Sequence, residues 1–310
     1  MSQEQKTKLI YDGKDGQLYK IWLVNLLLKI CTLGIYNFWG KTRLRRYITN
    51  SFLLLSDRFE YSGTGGELFR GFLKALPIII IMYLPFIIFK DEKHPAVNLM
   101  LLPIFFLIYA ATYTSIRYRY SRTSWRGIRG HLTGSAFTYA SLRMFRTILN
   151  IITLGILVPY SDISIQKYQV DHTHFGTAKA EFNGNGSKLM GIHILTLLLL
   201  IPTLGLSRLW YRAALVRHIY ASTTIDTIGF KGSQTGGNML GLIAGNLLLL
   251  IITLGFGVPI IIQRNMRYFA DNLVVIGDIA TSGIYQSNEI LGKSGEGVYG
   301  ILGEHDIGFL

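Results

Sequence analysis

Residues 30–48 read ICTLGIYNFWGKTRLRRYI: an apolar run, the triplet Thr-Leu-Gly, an aromatic cluster, then a burst of Lys and Arg. The triplet that starts at Thr32 starts again at Thr153, Thr203 and Thr253, the last three copies fifty residues apart. Seven residues beyond each Thr stand Trp39, Tyr160, Trp210 and Ile260. Fourteen beyond stand Arg46, Lys167, Arg217 and Arg267, and fifteen beyond stand Tyr47, Tyr168, His218 and Tyr268. Agreement at three offsets marks an internal repeat. Gly34, Gly155, Gly205 and Gly255 close the triplets and read as helix breaks, because Gly takes the left-handed conformation of a helix C-cap at little cost.

The chain around this motif is too apolar for an ordinary soluble domain: 310 residues, 50% hydrophobic, 16% charged, with a mean hydropathy of +0.34. Stretches 97–116, 189–207 and 239–263 carry no charge. About 20 helical residues cross a hydrocarbon core of about 30 Å, so each is long enough to span it. The net charge of +13 lies beside these runs. There it meets anionic membrane lipids, the expected partner, rather than nucleic acid. The polar N-terminus, MSQEQKTKLIYDGKDGQ, lacks the apolar core of a signal peptide.

Gly-rich stretches of alternating character precede the apolar helices: YDGKDGQL (11–18), FEYSGTGGEL (59–68), FNGNGSKL (182–189) and FKGSQTGGNML (230–240). They read as short strands and turns. The units fall at about 11–68, 69–139, 140–188, 189–238 and 239–285. The second is diverged: it lacks the triplet and carries an inserted helical hairpin around KDEKHPA, and 286–310 form a Gly-rich tail. The fold expected from this pattern is an all-α, multi-pass helical membrane bundle of repeated units with short β-hairpin elaborations, one integral domain over 1–310.

Two roles suit the motif. In the first, Trp39, Tyr160, Trp210, Tyr47, Tyr168 and Tyr268, with Arg46, Lys167, Arg217 and Arg267, anchor the protein at the lipid head groups. In the second, the Thr-Leu-Gly break interrupts a helix within the bilayer. Asn25, Thr32, Thr153, Thr203, Asn246 and Thr253 then line a polar path. Lys29 snorkels to the interface. Charge bias between alternate loops favours six alternating crossings; re-entrant hairpins would instead put matching anchors on one face.

Chemistry leaves little trace. Cys31 is the sole cysteine, so no internal disulfide forms. No nucleotide-binding fingerprint, H-E-x-x-H or GxSxG occurs. His172 and His174 lack companion ligands and read as an interfacial turn, so neither metal nor cofactor is expected. Asp162, Asp171, Asp226, Asp271 and Asp278 read as polar turns and caps.

The runs TLGIYNFWGKTRLRRYI, FEYSGTGGELFRG and ITLGILVPY resemble the bacterial inner-membrane family of YjgN type, domain of unknown function 898, over about residues 9–310. The resemblance implies a multi-pass protein of the bacterial cytoplasmic membrane and carries over no catalytic residue. Ile260 departs from the ring-bearing pattern. The expected function is non-enzymatic: organising or sensing the envelope. The alternatives are a transporter or channel for a small solute or lipid, and an intramembrane enzyme.

Overall fold

The computed structural model describes residues 6–88, 95–278 and 284; the Gly-rich tail at 286–310 lies outside them. Strands β1 (Lys6–Lys8) and β2 (Ile10–Tyr11) lead into helices α1 (Asp15–Cys31) and α2 (Asn37–Asn50). The hairpin β3 (Phe52–Leu54) and β4 (Asp57–Tyr61) follows, then α3 (Gly65–Ile88) and α4 (Pro95–Arg122). The same order continues through β5 (Thr123–Trp125), β6 (Ile128–Leu132), α5 (Ala136–Ile152), α6 (Val158–Asp171), β7 (Thr173–Phe175) and β8 (Ala178–Phe182). It ends with α7 (Ser187–Leu198), α8 (Arg208–Ala221), β9 (Thr223–Ile225), β10 (Ile228–Gly232), α9 (Gly236–Ile252), α10 (Val258–Asp271) and β11 (Leu273–Ile276).

The expected all-α bundle is corrected here. The strands are not decorations on separate units; they pair antiparallel into one sheet of eleven strands, ordered β1-β11-β10-β9-β8-β7-β6-β5-β4-β3-β2. Its two ends are the same stretch of chain. Lys6 and Lys8 pair with Ile276 and Val274 of β11, while Ile10 and Tyr11 pair with Leu53 and Phe52 of β3. Leu9, buried between them, links the two edges covalently and curls the sheet into a ring, which leaves no long open edge. A strand of three to five residues looks like a turn in sequence, and only pairing between units makes it part of a sheet. The helical expectation changes too: among the described residues one helix segment, Leu101–Arg122, is long and apolar enough to cross a membrane.

Local chemistry fixes the rims. Arg126 and Gly127 take positive φ of 52° and 75°, as a two-residue hairpin turn with right-handed twist requires. Within a hairpin, the chain leaves one helix and enters the next at the same end. Because neighbouring hairpins also pair antiparallel, all turns lie on one rim and all helix pairs stand on the other. Ser135 and Thr235 cap α5 and α9 through the amides of Thr138 and Asn238. Thr64 and Glu67 form a reciprocal capping box at α3.

Side chains fill the inside of the ring. One contiguous apolar cluster joins Phe52 and Leu54 of β3, Trp125 of β5, Ile228 of β10, Val275 of β11 and Met266 of α10, with Phe59, Phe175 and Phe230 packed on it. The cluster forms an apolar floor beneath the helices.

Candidate functional site

Each Thr-Leu-Gly triplet forms the apex of a helix pair. The Thr hydroxyl donates to the carbonyl four residues back, as in Thr32 Oγ1 to Leu28 O (2.7 Å) and Thr153 Oγ1 to Leu149 O (2.8 Å). It also accepts from the amide four residues ahead, at Tyr36, Leu157, Ser207 and Gly257. The Gly amide reaches back five residues, for example Gly155 N to Asn150 O at 2.7 Å, which is the longer bond of a Schellman cap. This geometry forces the intervening Leu into the left-handed region, with φ of 50°, 51°, 50° and 48° at Leu33, Leu154, Leu204 and Leu254. A branched side chain in that region costs about 1–2 kcal/mol. The same four leucines are 95%, 84%, 93% and 87% exposed and form an apolar crown opposite the hairpin turns.

Below the crown, the repeated residues bind one helix pair to the next. Gly65, Gly186 and Gly236 press against Trp39, Tyr160 and Trp210; a Cβ there would lie 2.6, 3.0 and 2.5 Å from an atom of those residues. Ile260 takes the corresponding place in the last unit and, like the three rings, is a little over a third exposed. The basic residue reaches the stretch that leads into the next helix pair: Arg46 Nη2 to Gly63 O (3.0 Å), Lys167 Nζ to Phe182 O (3.1 Å), and Arg217 Nη1 to Gln234 O. Arg267 completes the circle by donating to Gly13 O (3.4 Å) and pairing with Asp15 (2.9 Å) at the other end of the chain. The diverged unit joins the series through Arg117, whose Nη2 donates to Gly134 O (2.5 Å). That position lacks a neighbouring triplet, so counting from the triplets misses it.

The next residue in each unit ties back to its own helix start. Tyr47 bonds the backbone of Lys14, Tyr168 that of Ser135, and His218 Nε2 accepts from Asn185 N at 3.1 Å. Burial and then nearby Lys188 hold the His218 imidazole below its usual pKa. Accepting that amide also requires the neutral ring. Tyr268 lines a groove of about 320 Å³ between α9 and α10 with Asn246 and Asn265.

Each of the six polar residues of the sequence analysis hydrogen-bonds within its own helix pair. Asn25 Nδ2 donates to Gly40 O (3.1 Å), and Asn246 Nδ2 donates to Asn265 Oδ1 (2.8 Å), each joining the two arms of one hairpin. Thr32, Thr153, Thr203 and Thr253 spend their hydroxyls on capping. Lys29 is half-buried near its apex.

The chemistry gathers elsewhere, in a chamber of about 620 Å³ between the ring-side halves of the helices. Its wall carries Arg45 from α2, Arg119 from α4, Arg143 from α5, Arg212 from α8 and Asp162 from α6, among Ile116, Ile165 and Leu215. Asp162 Oδ2 accepts from Tyr211 OH at 2.8 Å. Arg143 Nη1 and Gln169 Nε2 both donate to Tyr139 OH at 2.9 Å, which fixes that part of the wall. Phe269 is what α10 contributes to the lining. In the sequence Asp162 reads as a polar turn residue. Arg212 stands at the same offset from its triplet as Asp162, but Arg45, Arg119 and Arg143 do not, so the repeat signal does not gather the set. Among the described residues, no three His, Cys, Asp or Glu side chains converge to hold a metal; His174 stacks on His131 with ring centroids 4.7 Å apart.

The profile of a family described as bacterial protein of unknown function, DUF898, matches residues 6–207 and again residues 192–301. The chain belongs to the DUF898 family. Over 121 residues it is 32% identical to the "Inner membrane protein YjgN" of Salmonella typhimurium, covering 39% of this chain and 30% of that one. Over 148 residues it is 29% identical to the protein of that name from Escherichia coli K12, covering 47% of this chain and 36% of the relative. The matched part of this DUF898 member thus spans about a third of the length of those relatives. No solved structure matches it.

Proposed function

We propose that this protein is a non-enzymatic, multi-pass inner-membrane protein that seats an array of helical hairpins in one leaflet and so organises the lipid around its ring. The names of the relatives support the inner-membrane location. The observation that carries the reading is the crown: four leucines held in a costly backbone conformation and 84% to 95% exposed, an arrangement that water does not reward.

The apolar depth matches a leaflet. On α1 the exposed face from Leu23 through Val24, Leu27 and Ile30 to the apex at Leu33 is apolar. That is about 15 Å of helix, half of a hydrocarbon core. The α3–α4 hairpin is longer, at 24 and 28 residues. At about 1.5 Å per residue it measures about 36 and 42 Å, enough to cross. Four shallow hairpins and one deep one, all returning to the same ring, replace six alternating crossings in this reading. The channel or transporter alternative draws on the chamber, but the apolar floor of Leu54, Trp125, Ile228 and Val275 opposes a path along the ring axis.

The test is single-cysteine accessibility in a Cys31→Ala background, with one Cys at Ser62, Ser135, Ser187 or Ser233, all near the ring, or at Leu204 on the crown. Impermeant thiol reagent should label the four ring positions from one side only and leave the crown position protected. Labelling of the ring positions from alternating sides would overturn the one-sided reading.

A further inference from the structure

We infer that this protein favours membrane that bulges toward its ring, and so gathers where the bilayer is curved. The inference rests on the one-leaflet reading of the hairpins and goes beyond it. On the rising arms of the four triplet-bearing pairs, exposed apolar side chains run from Leu23 to Leu33, from Phe145 to Leu154, from Ile194 to Leu204 and from Ile243 to Leu254. Each run covers about ten residues, or about 15 Å of helix, so the four tips reach a similar depth near the middle of a hydrocarbon core of about 30 Å. The pairs do not sink independently to other depths. All of them rise from one closed sheet, and Gly186 and Gly236 lock one pair against the next through Tyr160 and Trp210.

The consequence is an imbalance between leaflets. A helix is about 10 Å across, so it takes up about 80 Å² of the membrane plane, and four pairs take up about 600 Å² of the leaflet nearest the ring. Among the described residues, only the α3–α4 hairpin, with helices of 24 and 28 residues, is long enough to enter the second leaflet, and it takes area from both. A leaflet that is expanded without a matching expansion of its partner bends toward convexity on the expanded side, the physics that also makes interfacial helices sensitive to curvature. A flat bilayer therefore holds the protein under strain, and a bilayer convex on the ring side relieves it. The closed ring sets the size of the effect: it holds the four tips as one wedge, so their areas add.

The full chain, with Cys31→Ala and a fluorophore on Ser62→Cys, is reconstituted in giant vesicles of phosphatidylethanolamine and phosphatidylglycerol, and a thin membrane tube is pulled outward. An impermeant quencher added outside separates molecules whose ring faces outward from those whose ring faces inward. Ring-outward molecules should be denser on the tube than on the vesicle body, increasingly so as the tube narrows, and ring-inward molecules should be depleted from it. A second protein combines Leu154→Asp, Leu204→Asp and Leu254→Asp, at side chains that are 84%, 93% and 87% exposed. Asp tolerates the left-handed backbone there and resists entry into lipid, while the α3–α4 hairpin still holds the protein in the membrane. This variant should incorporate and lose the enrichment. Equal density on tube and body, enrichment of ring-inward molecules, or undiminished enrichment of the triple variant would each overturn the inference. If equal density accompanies labelling of the ring positions from one side only, curvature preference fails and the one-leaflet reading stands; labelling from alternating sides removes both.

Discussion

The most exacting prediction concerns Leu33→Asn at the first apex. Cys31, the sole cysteine of the sequence, is exposed beside it and reports on its surroundings without any engineered residue. Leu33 is 95% exposed, Ile30 64% and Ile35 56%. Weighting each by its exposed fraction, at about 2 kcal/mol for a fully transferred side chain, gives about 4 kcal/mol for seating this tip in lipid. The tip is then withdrawn about one part in a thousand of the time. Asn removes about 2 kcal/mol of that transfer energy, which raises the withdrawn fraction roughly 30-fold. Asn also tolerates the left-handed conformation better than Leu does, so the variant should fold at least as well as the parent. That gain is the same whether the tip is seated or withdrawn, so it leaves the insertion equilibrium untouched. The assay is the labelling rate of Cys31 by an impermeant maleimide in intact proteoliposomes, with a ring cysteine such as Ser62→Cys as the accessible reference. Wild-type Cys31 should react about a thousand-fold more slowly than the reference, and Leu33→Asn should recover about 30-fold of that. If Cys31 in the wild type reacts as fast as the ring position, the crown is not in lipid and the argument from exposure fails.

Three further outcomes follow from the ring. Arg267→Ala removes the bonds from α10 to Gly13 O and Asp15; because the ion pair is about half exposed, the loss should be about 1–2 kcal/mol, read as a lower melting temperature and faster amide exchange over 6–11. Trp125→Ala empties part of the floor and should cost about 3–5 kcal/mol by denaturant titration, more than any substitution on the crown. The depressed pKa of His218 makes its neutral-ring bond to Asn185 a source of stability that is full above the unfolded value of about 6.5 and lost as pH falls through the lower folded value. Melting temperature should therefore drop as pH falls below about 6.5, and His218→Tyr, the residue type that accepts the equivalent amide at Tyr47 and Tyr168, should flatten that drop.

The amino-acid sequence on its own determined the local grammar. Thr-Leu-Gly announces a helix end because the Thr hydroxyl and the Gly backbone satisfy orphan groups within a few residues of each other. The basic-then-ring pair fourteen and fifteen residues later is legible because it recurs at a fixed offset. What those side chains hold is not legible. Arg46, Arg117, Lys167 and Arg217 reach carbonyls just ahead of the next helix pair, and Arg267 reaches Gly13 across the length of the chain. Periodicity reports how residues sit along one element and is silent on how elements close on one another. For that reason the strands read as turns and the fold as all-α, until pairing of Lys6 with Ile276 and of Ile10 with Leu53 made one ring. The chamber lies at the far end of the same limit: Asp162 and Arg212 sit at one offset from their triplets but Arg45, Arg119 and Arg143 do not match it, and only the closing of five helix pairs over a single sheet brings the five to one wall.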